Sequence, residues 1–198
     1  MIQERFKLNY YILCLMHITS IITGMVCTER LIYLNIYVFT DLHVYLTGGI
    51  LFIPVIFFIQ DIVTEIYGYE KAKSMIFINI FIFIIFAIFM KISSIIDIHF
   101  SQNVPDFSIV SNSLPRQTLA FTISFLIGSL LNNYILSNLK RLLGGRFMAL
   151  RFITSTAIGD LFFQIIAVSI AWYGVIYDFN IIQIALLSYL YKVIFEIL

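Results

Sequence analysis

Long apolar runs separated by short polar breaks fill this chain from one end to the other. They cover Tyr10–Cys27, Val44–Tyr67, Ser74–Ile96, Gln117–Leu139, Phe152–Val175 and Phe179–Leu198. Each is near the ~20 residues that a helix needs to cross the hydrocarbon of a bilayer. The runs are too long for barrel strands and lack their period-two alternation, so strands are not expected. The pattern predicts an all-α membrane protein with six transmembrane helices, forming a single polytopic membrane domain over residues 1–198. The first run extends over Leu8–Thr28 and lacks a small-residue cleavage pattern, so it reads as a retained span.

Composition strengthens this picture. Hydrophobic residues make up 61% of the chain and charged residues 12%, against roughly 25% charged in an ordinary soluble domain. Mean hydropathy is +1.00. A net charge of +1 gives no basic face for nucleic acid. Cys14 and Cys27 both fall in the first run, where small packing residues are a better reading than a disulfide or a zinc site.

The breaks assign the sides. Arg5, Lys7, Lys71, Lys73, Lys140, Arg141 and Arg146 flank one set of ends. The opposite ends hold Arg30, Lys91 and Arg116, diluted by Glu29, Asp41, Asp97, Asp106 and Asp178. Positive charge stays cytoplasmic, so both termini are expected inside, and Asp97–Arg116 becomes the longest external loop. Six spans divide into two sets of three, and an odd number per half inverts one half relative to the other. Two inverted three-helix halves, with a binding site at their interface, are therefore expected.

Candidate chemistry lies where charge enters the apolar runs. In the second run Gln60, Asp61, Thr64 and Glu65 fall within an arc of roughly 140° at about 100° per residue. Pro54 lies on the same side and is expected to free a backbone carbonyl there. In the fifth run Thr156, Asp160 and Gln164 share one face, and Asp160 sits about 13 Å beyond Arg151, near the bilayer middle. An unpaired Asp at that depth costs ~3 kcal/mol or more. The fourth run aligns Ser124, Gly128 and Asn132, a pattern that helix packing and a pocket explain about equally. Lys192 and Glu196 are four apart near the chain end, readable as a simple ion pair or as part of a shared polar cavity. Asn79, isolated in the third run, is assigned to packing.

Several chemistries lack their motifs. There is no G-x-x-x-x-G-K-[ST] loop, no H-E-x-x-H and no G-x-S-x-G. His17, His43 and His99 lie far apart. No catalytic residue, metal or cofactor is expected.

At these residues the chain resembles the queuosine precursor transporter family, also called the vitamin uptake transporter family. The resemblance rests on G49-I-L-F-I-P-V-I-F-F-I-Q-D-I-V-T-E-I-Y-G-Y, G128-S-L-L-N-N-Y-I-L-S-N-L-K, G145-R-F-M-A-L-R-F-I-T-S-T-A-I-G and Y191-K-V-I-F-E-I-L. It implies a six-helix carrier in the bacterial cytoplasmic membrane that imports 7-deazaguanine bases. Carried over by matching position, its candidate residues are Asp61, Glu65, Asn132, Arg151, Ser155, Thr156, Lys192 and Glu196. Phe163 stands where that family's pattern has an aspartate, and Asp160 lies one turn nearer the cytoplasm.

The residues themselves suit such a ligand. A guanine-like base offers adjacent N–H donors to a carboxylate and a carbonyl to Arg, Lys or an amide, and its rings stack on aromatics. One of Asp61, Glu65 or Asp160 is expected to read the donor edge, with Arg151, Lys192, Asn132 or Gln164 satisfying the carbonyl. Proton coupling through Asp160 or Glu65 and facilitated diffusion both stay open, as does a homo-oligomer. The competing readings are a substrate-binding subunit of an energy-coupling-factor type vitamin transporter and, more weakly, an intramembrane enzyme.

Overall fold

The computed structural model describes residues 2–28, 30–36, 42–95, 108–175 and 178–197. Six helices dominate it: α1 (Ile2–Thr28), α2 (Ile53–Tyr67), α3 (Tyr69–Ile95), α4 (Ser108–Leu142), α5 (Met148–Trp172) and α6 (Asp178–Ile197). In lipid a helix is the local solution because it satisfies its own backbone polar groups. Among the described residues, five of the helical stretches are long and apolar enough to cross a membrane. The bundle of membrane-length helices expected from the hydropathy pattern is thus present, with one short strand pair that the pattern did not predict.

Two boundaries differ from expectation. Val44 does not begin a span. Strand β1 (Leu31–Ile36) pairs antiparallel with β2 (Leu42–Thr47), with Leu31 opposite Thr47 and Ile36 opposite Leu42. These short segments rich in Ile, Val, Tyr and Thr suit a ribbon, and the apolar run misleads because it fuses β2 to the helix that follows. A 3₁₀ turn, Gly48–Leu51, makes the join. A Cβ on Gly49 would lie 2.6 Å from the Gly24 carbonyl oxygen, so only glycine lets this turn press on α1. Pro54 then sits in the first turn of α2, where its missing N–H breaks no helical bond. It starts the helix and does not free a mid-span carbonyl.

The fourth span also begins earlier, at Ser108, with Pro115 inside the helix. Arg116 therefore belongs to α4 and is not loop. It donates from Nε to the Ile170 carbonyl at 2.7 Å and from Nη2 to the Tyr173 carbonyl, capping the end of α5. Of the expected external loop, residues 108–116 belong to α4 and residues 97–107 lie outside the described residues.

Two features position the interior. Gly128 on α4 and Gly159 on α5 bring those helices together: a Cβ on Gly128 would meet the Gly159 carbonyl oxygen at 2.8 Å, and one on Gly159 would meet Asn132 Cβ at 2.7 Å. This small-residue contact is the membrane form of close helix packing. Across the middle runs an aromatic layer in which Phe121 stacks on Phe125 at 5.0 Å between centroids, and Phe163 meets Phe57 edge-on at 5.6 Å. Asn79 on α3 donates to His17 Nδ1 on α1 at 2.6 Å, a buried interhelical bond that fits its packing assignment. Large apolar side chains of α1 and α3, among them Leu15, Phe77, Phe81 and Phe89, face outward, as a lipid-exposed surface does.

Candidate functional site

The charges that enter the apolar runs converge on one strip of the bundle, where α2, α4, α5 and α6 meet. Asp61 on α2 accepts from Asn132 Nδ2 on α4 at 2.6 Å and from Thr156 Oγ1 on α5 at 3.0 Å. Asp160, one turn further along α5, pairs with Lys192 on α6 at 2.9 Å, and both side chains have zero exposure. Lys192 also holds its ammonium 2.9 Å from the centroid of the Phe57 ring, a cation–π contact in a water-poor site. One turn beyond Asp61 in the other direction, Glu65 takes a two-pronged bond from Arg151, Nη1 to Oε2 at 2.8 Å and Nη2 to Oε1 at 3.1 Å. Lys140 on α4 joins at 3.2 Å.

The partners fall into register. Glu65 meets Arg151 and Asp61 meets Thr156, so residue number falls along α2 as it rises along α5. The two helices run antiparallel and face each other chiefly through side chains, with little close backbone approach. Sequence periodicity placed Asp61 and Glu65 on one face of α2, and Thr156, Asp160 and Gln164 on one face of α5; the fold turns those faces toward each other.

The turn between α4 and α5 holds Arg151 in place. Gly144, Gly145 and Phe147 all take positive φ, at 56°, 77° and 55°. This tight reversal aims the Gly145 and Arg146 carbonyls at the guanidinium, which donates to them at 3.2 and 3.1 Å. Arg151 is consequently buried although it lies in the first turn of its helix.

The remaining predicted residues are less uniform. Ser155 is buried but bonds within its own helix, to the Phe152 carbonyl. The simple Lys192–Glu196 pair is replaced by the Lys192–Asp160 pair, because α5 brings a carboxylate closer. Glu196 Oε1 is buried with no hydrogen-bond partner among the described residues. The same holds for Asp160 Oδ2, Asn132 Oδ1 and Gln164 Nε2.

Three carboxylates opening on one hollow were expected, and the geometry is different. Asp61 and Glu65 are filled by their own donors, and the network is closed around them. A cavity lies one turn along α5 from Asp160, where Gln164 and Phe163 reach its wall. Among the described residues, Asp160 alone of the three carboxylates keeps an oxygen free of hydrogen bonds.

Sequence reasoning missed some members. Lys140 entered it only as an orientation charge, yet it also donates to the Glu65 backbone carbonyl at 2.6 Å. Asn133 is not one of them: with Ser129 and Ser137 it forms the line adjoining Asn132, a pattern that fits interhelical hydrogen bonding or a pocket, and it accepts from Gln60 at 2.8 Å and from Thr64 at 2.9 Å. Phe57 gave no signal among so many phenylalanines.

A family model described as "Putative vitamin uptake transporter" matches residues 47–198, more than half of the chain. No curated protein and no solved structure matches it. The matched stretch contains every residue of the buried network. The chain belongs to the vitamin uptake transporter family.

Proposed function

We propose that this protein imports a queuosine precursor, a 7-deazaguanine base, across the bacterial cytoplasmic membrane with both termini inside. One observation carries the reading. Among the described residues, Asp160 Oδ2 and Gln164 Nε2 are a buried acceptor and a buried donor, each without a partner, on one face of α5. They stand one helical turn apart, about 6 Å along the axis. A guanine-like base presents the complement, an N–H beside a carbonyl oxygen. Unfilled polar atoms at membrane depth are costly, and a ligand of this kind relieves both.

The charge network is the moving part in this reading. Buried ion pairs add little stability compared with apolar packing of the same volume. Their use across four helices fits a bundle that breaks and remakes contacts as it alternates. The antiparallel pairing of α2 with α5 also suits two inverted halves, each contributing its middle helix. Glu65, Arg151 and Lys140 then close the cytoplasmic end.

Complementation tests the reading. The chain is expressed in a bacterial strain that neither makes nor imports queuosine precursors, and the nitrile, the aminomethyl compound and queuine are fed separately. Queuosine in tRNA is expected with at least one base and is lost in Asp160→Asn. If no base restores queuosine while the protein is present in the membrane, the substrate assignment is wrong.

A further inference from the structure

At the end of the bundle away from Glu65, a cavity opens between the start of α2, α4 and α6 and the ends of α1 and α5. Its volume is about 70 Å³. One water needs roughly 10–15 Å³ by this measure, so the space holds about five waters. Its walls are not uniformly apolar. Gln117 from α4, Gln164 from α5 and Ser188 from α6 reach it, alongside Phe121, Phe163 and Trp172. All three polar residues are at most 6% exposed. Water-filled or empty, such a space leaves amides facing rings, the lining that recognises a flat polar molecule.

We infer that this cavity is the chamber in which an uncharged planar heterocycle is held, with Gln164 reading its carbonyl and Trp172 and Phe163 bounding its faces. The inference rests on the transport reading for the identity of the ligand but not for the existence of the site. Gln117 and Ser188 come from the helices on either side of α5, and they set specificity at the ligand's other polar edges. A carboxamide matches an amide edge because it offers a donor and an acceptor side by side. Phe163 in the chamber wall meets Phe57 edge-on at 5.6 Å, and Phe57 lies under the Lys192 ammonium, so the Asp160–Lys192 pair stands one aromatic contact from the chamber. The sequence carries a single tryptophan, so Trp172 emission reports on this cavity alone.

The test uses the full chain in lipid nanodiscs, titrated with guanine, hypoxanthine and 7-deazaguanine while Trp172 emission is followed, with uptake of 7-deazaguanine measured in parallel. Saturable quenching by at least one base is expected, weakened roughly tenfold or more in Gln164→Leu, since a buried hydrogen bond is lost. Gln117→Leu is expected to alter the ranking of the three bases. Quenching without uptake upholds the chamber and removes the transport reading. Uptake with unmoved emission and an unaffected Gln164→Leu variant overturns the chamber and leaves transport standing. Neither quenching nor uptake by folded protein also overturns it. Should Gln164→Leu fail to fold, Ser188→Ala and Trp172→Phe uptake kinetics replace it, and unchanged KM values for all three bases in both variants overturn the proposal.

Discussion

Asp160 and Lys192 meet at 2.9 Å on adjacent helices, and neither side chain is reached by solvent. Removing one partner of such a pair strands the other charge. Lys192→Met is therefore expected to cost about 3–5 kcal/mol of stability. The double variant Asp160→Leu/Lys192→Met recovers most of that loss and still fails to transport. Thermal unfolding in detergent, followed by circular dichroism, checks the first half, and uptake checks the second.

Arg151 is gripped by Glu65 and by two turn carbonyls at once. A lysine keeps the charge but cannot make the paired bond. Arg151→Lys is expected to weaken the contact by about 1–2 kcal/mol, a change of roughly five- to thirty-fold in any equilibrium it controls. In the proposed mechanism this contact closes the cytoplasmic end, so the variant leaks. Accessibility of a cysteine placed at Thr64 to a water-soluble thiol reagent, in a Cys14→Ser/Cys27→Ser background, measures the leak. An accessibility equal to that of the Arg151 parent counts against the gate.

Asp61 depends on both Asn132 and Thr156. Asn132→Leu and Thr156→Val each leave a carboxylate oxygen without its donor, at about 1–3 kcal/mol apiece. Because both donors serve the same carboxylate, the two losses are expected to couple. A double-mutant cycle on unfolding midpoints reads the coupling, and strict additivity would show that the two bonds act independently.

The approach of α4 to α5 allows no added methyl group at Gly159, where a Cβ would sit 2.7 Å from Asn132 Cβ. Gly159→Ala is expected to destabilise the protein by about 1–3 kcal/mol and to loosen Asn132 from Asp61. A lowered unfolding temperature with reduced uptake is the expected result.

Much of this site was legible before any coordinates. The arc of Gln60, Asp61, Thr64 and Glu65, and the line through Thr156, Asp160 and Gln164, follow from helical period alone. Both prove to be the inward faces of their helices. What periodicity cannot supply is the partner across a gap. Lys192 was four residues from Glu196 in the chain, and the nearer carboxylate belonged to another helix. Lys140 resembled any flanking cation until α2 ended beside it. The hairpin was hidden for a different reason, since an apolar strand and an apolar helix differ little in hydropathy and the run continued from one to the other. The cavity was hidden as well, because Gln117, Trp172 and Ser188 belong to three different helices and form no spaced motif.

The central claim is that the chain alone moves a 7-deazaguanine base, using Asp160 and Gln164 to hold it. Purified protein in liposomes, given radiolabelled base outside, tests this most directly. Saturable uptake above that of empty liposomes is predicted, falling at least roughly tenfold in both Asp160→Asn and Gln164→Leu while each variant stays folded. Uptake no greater than in empty liposomes, or undiminished uptake in both variants, would contradict it.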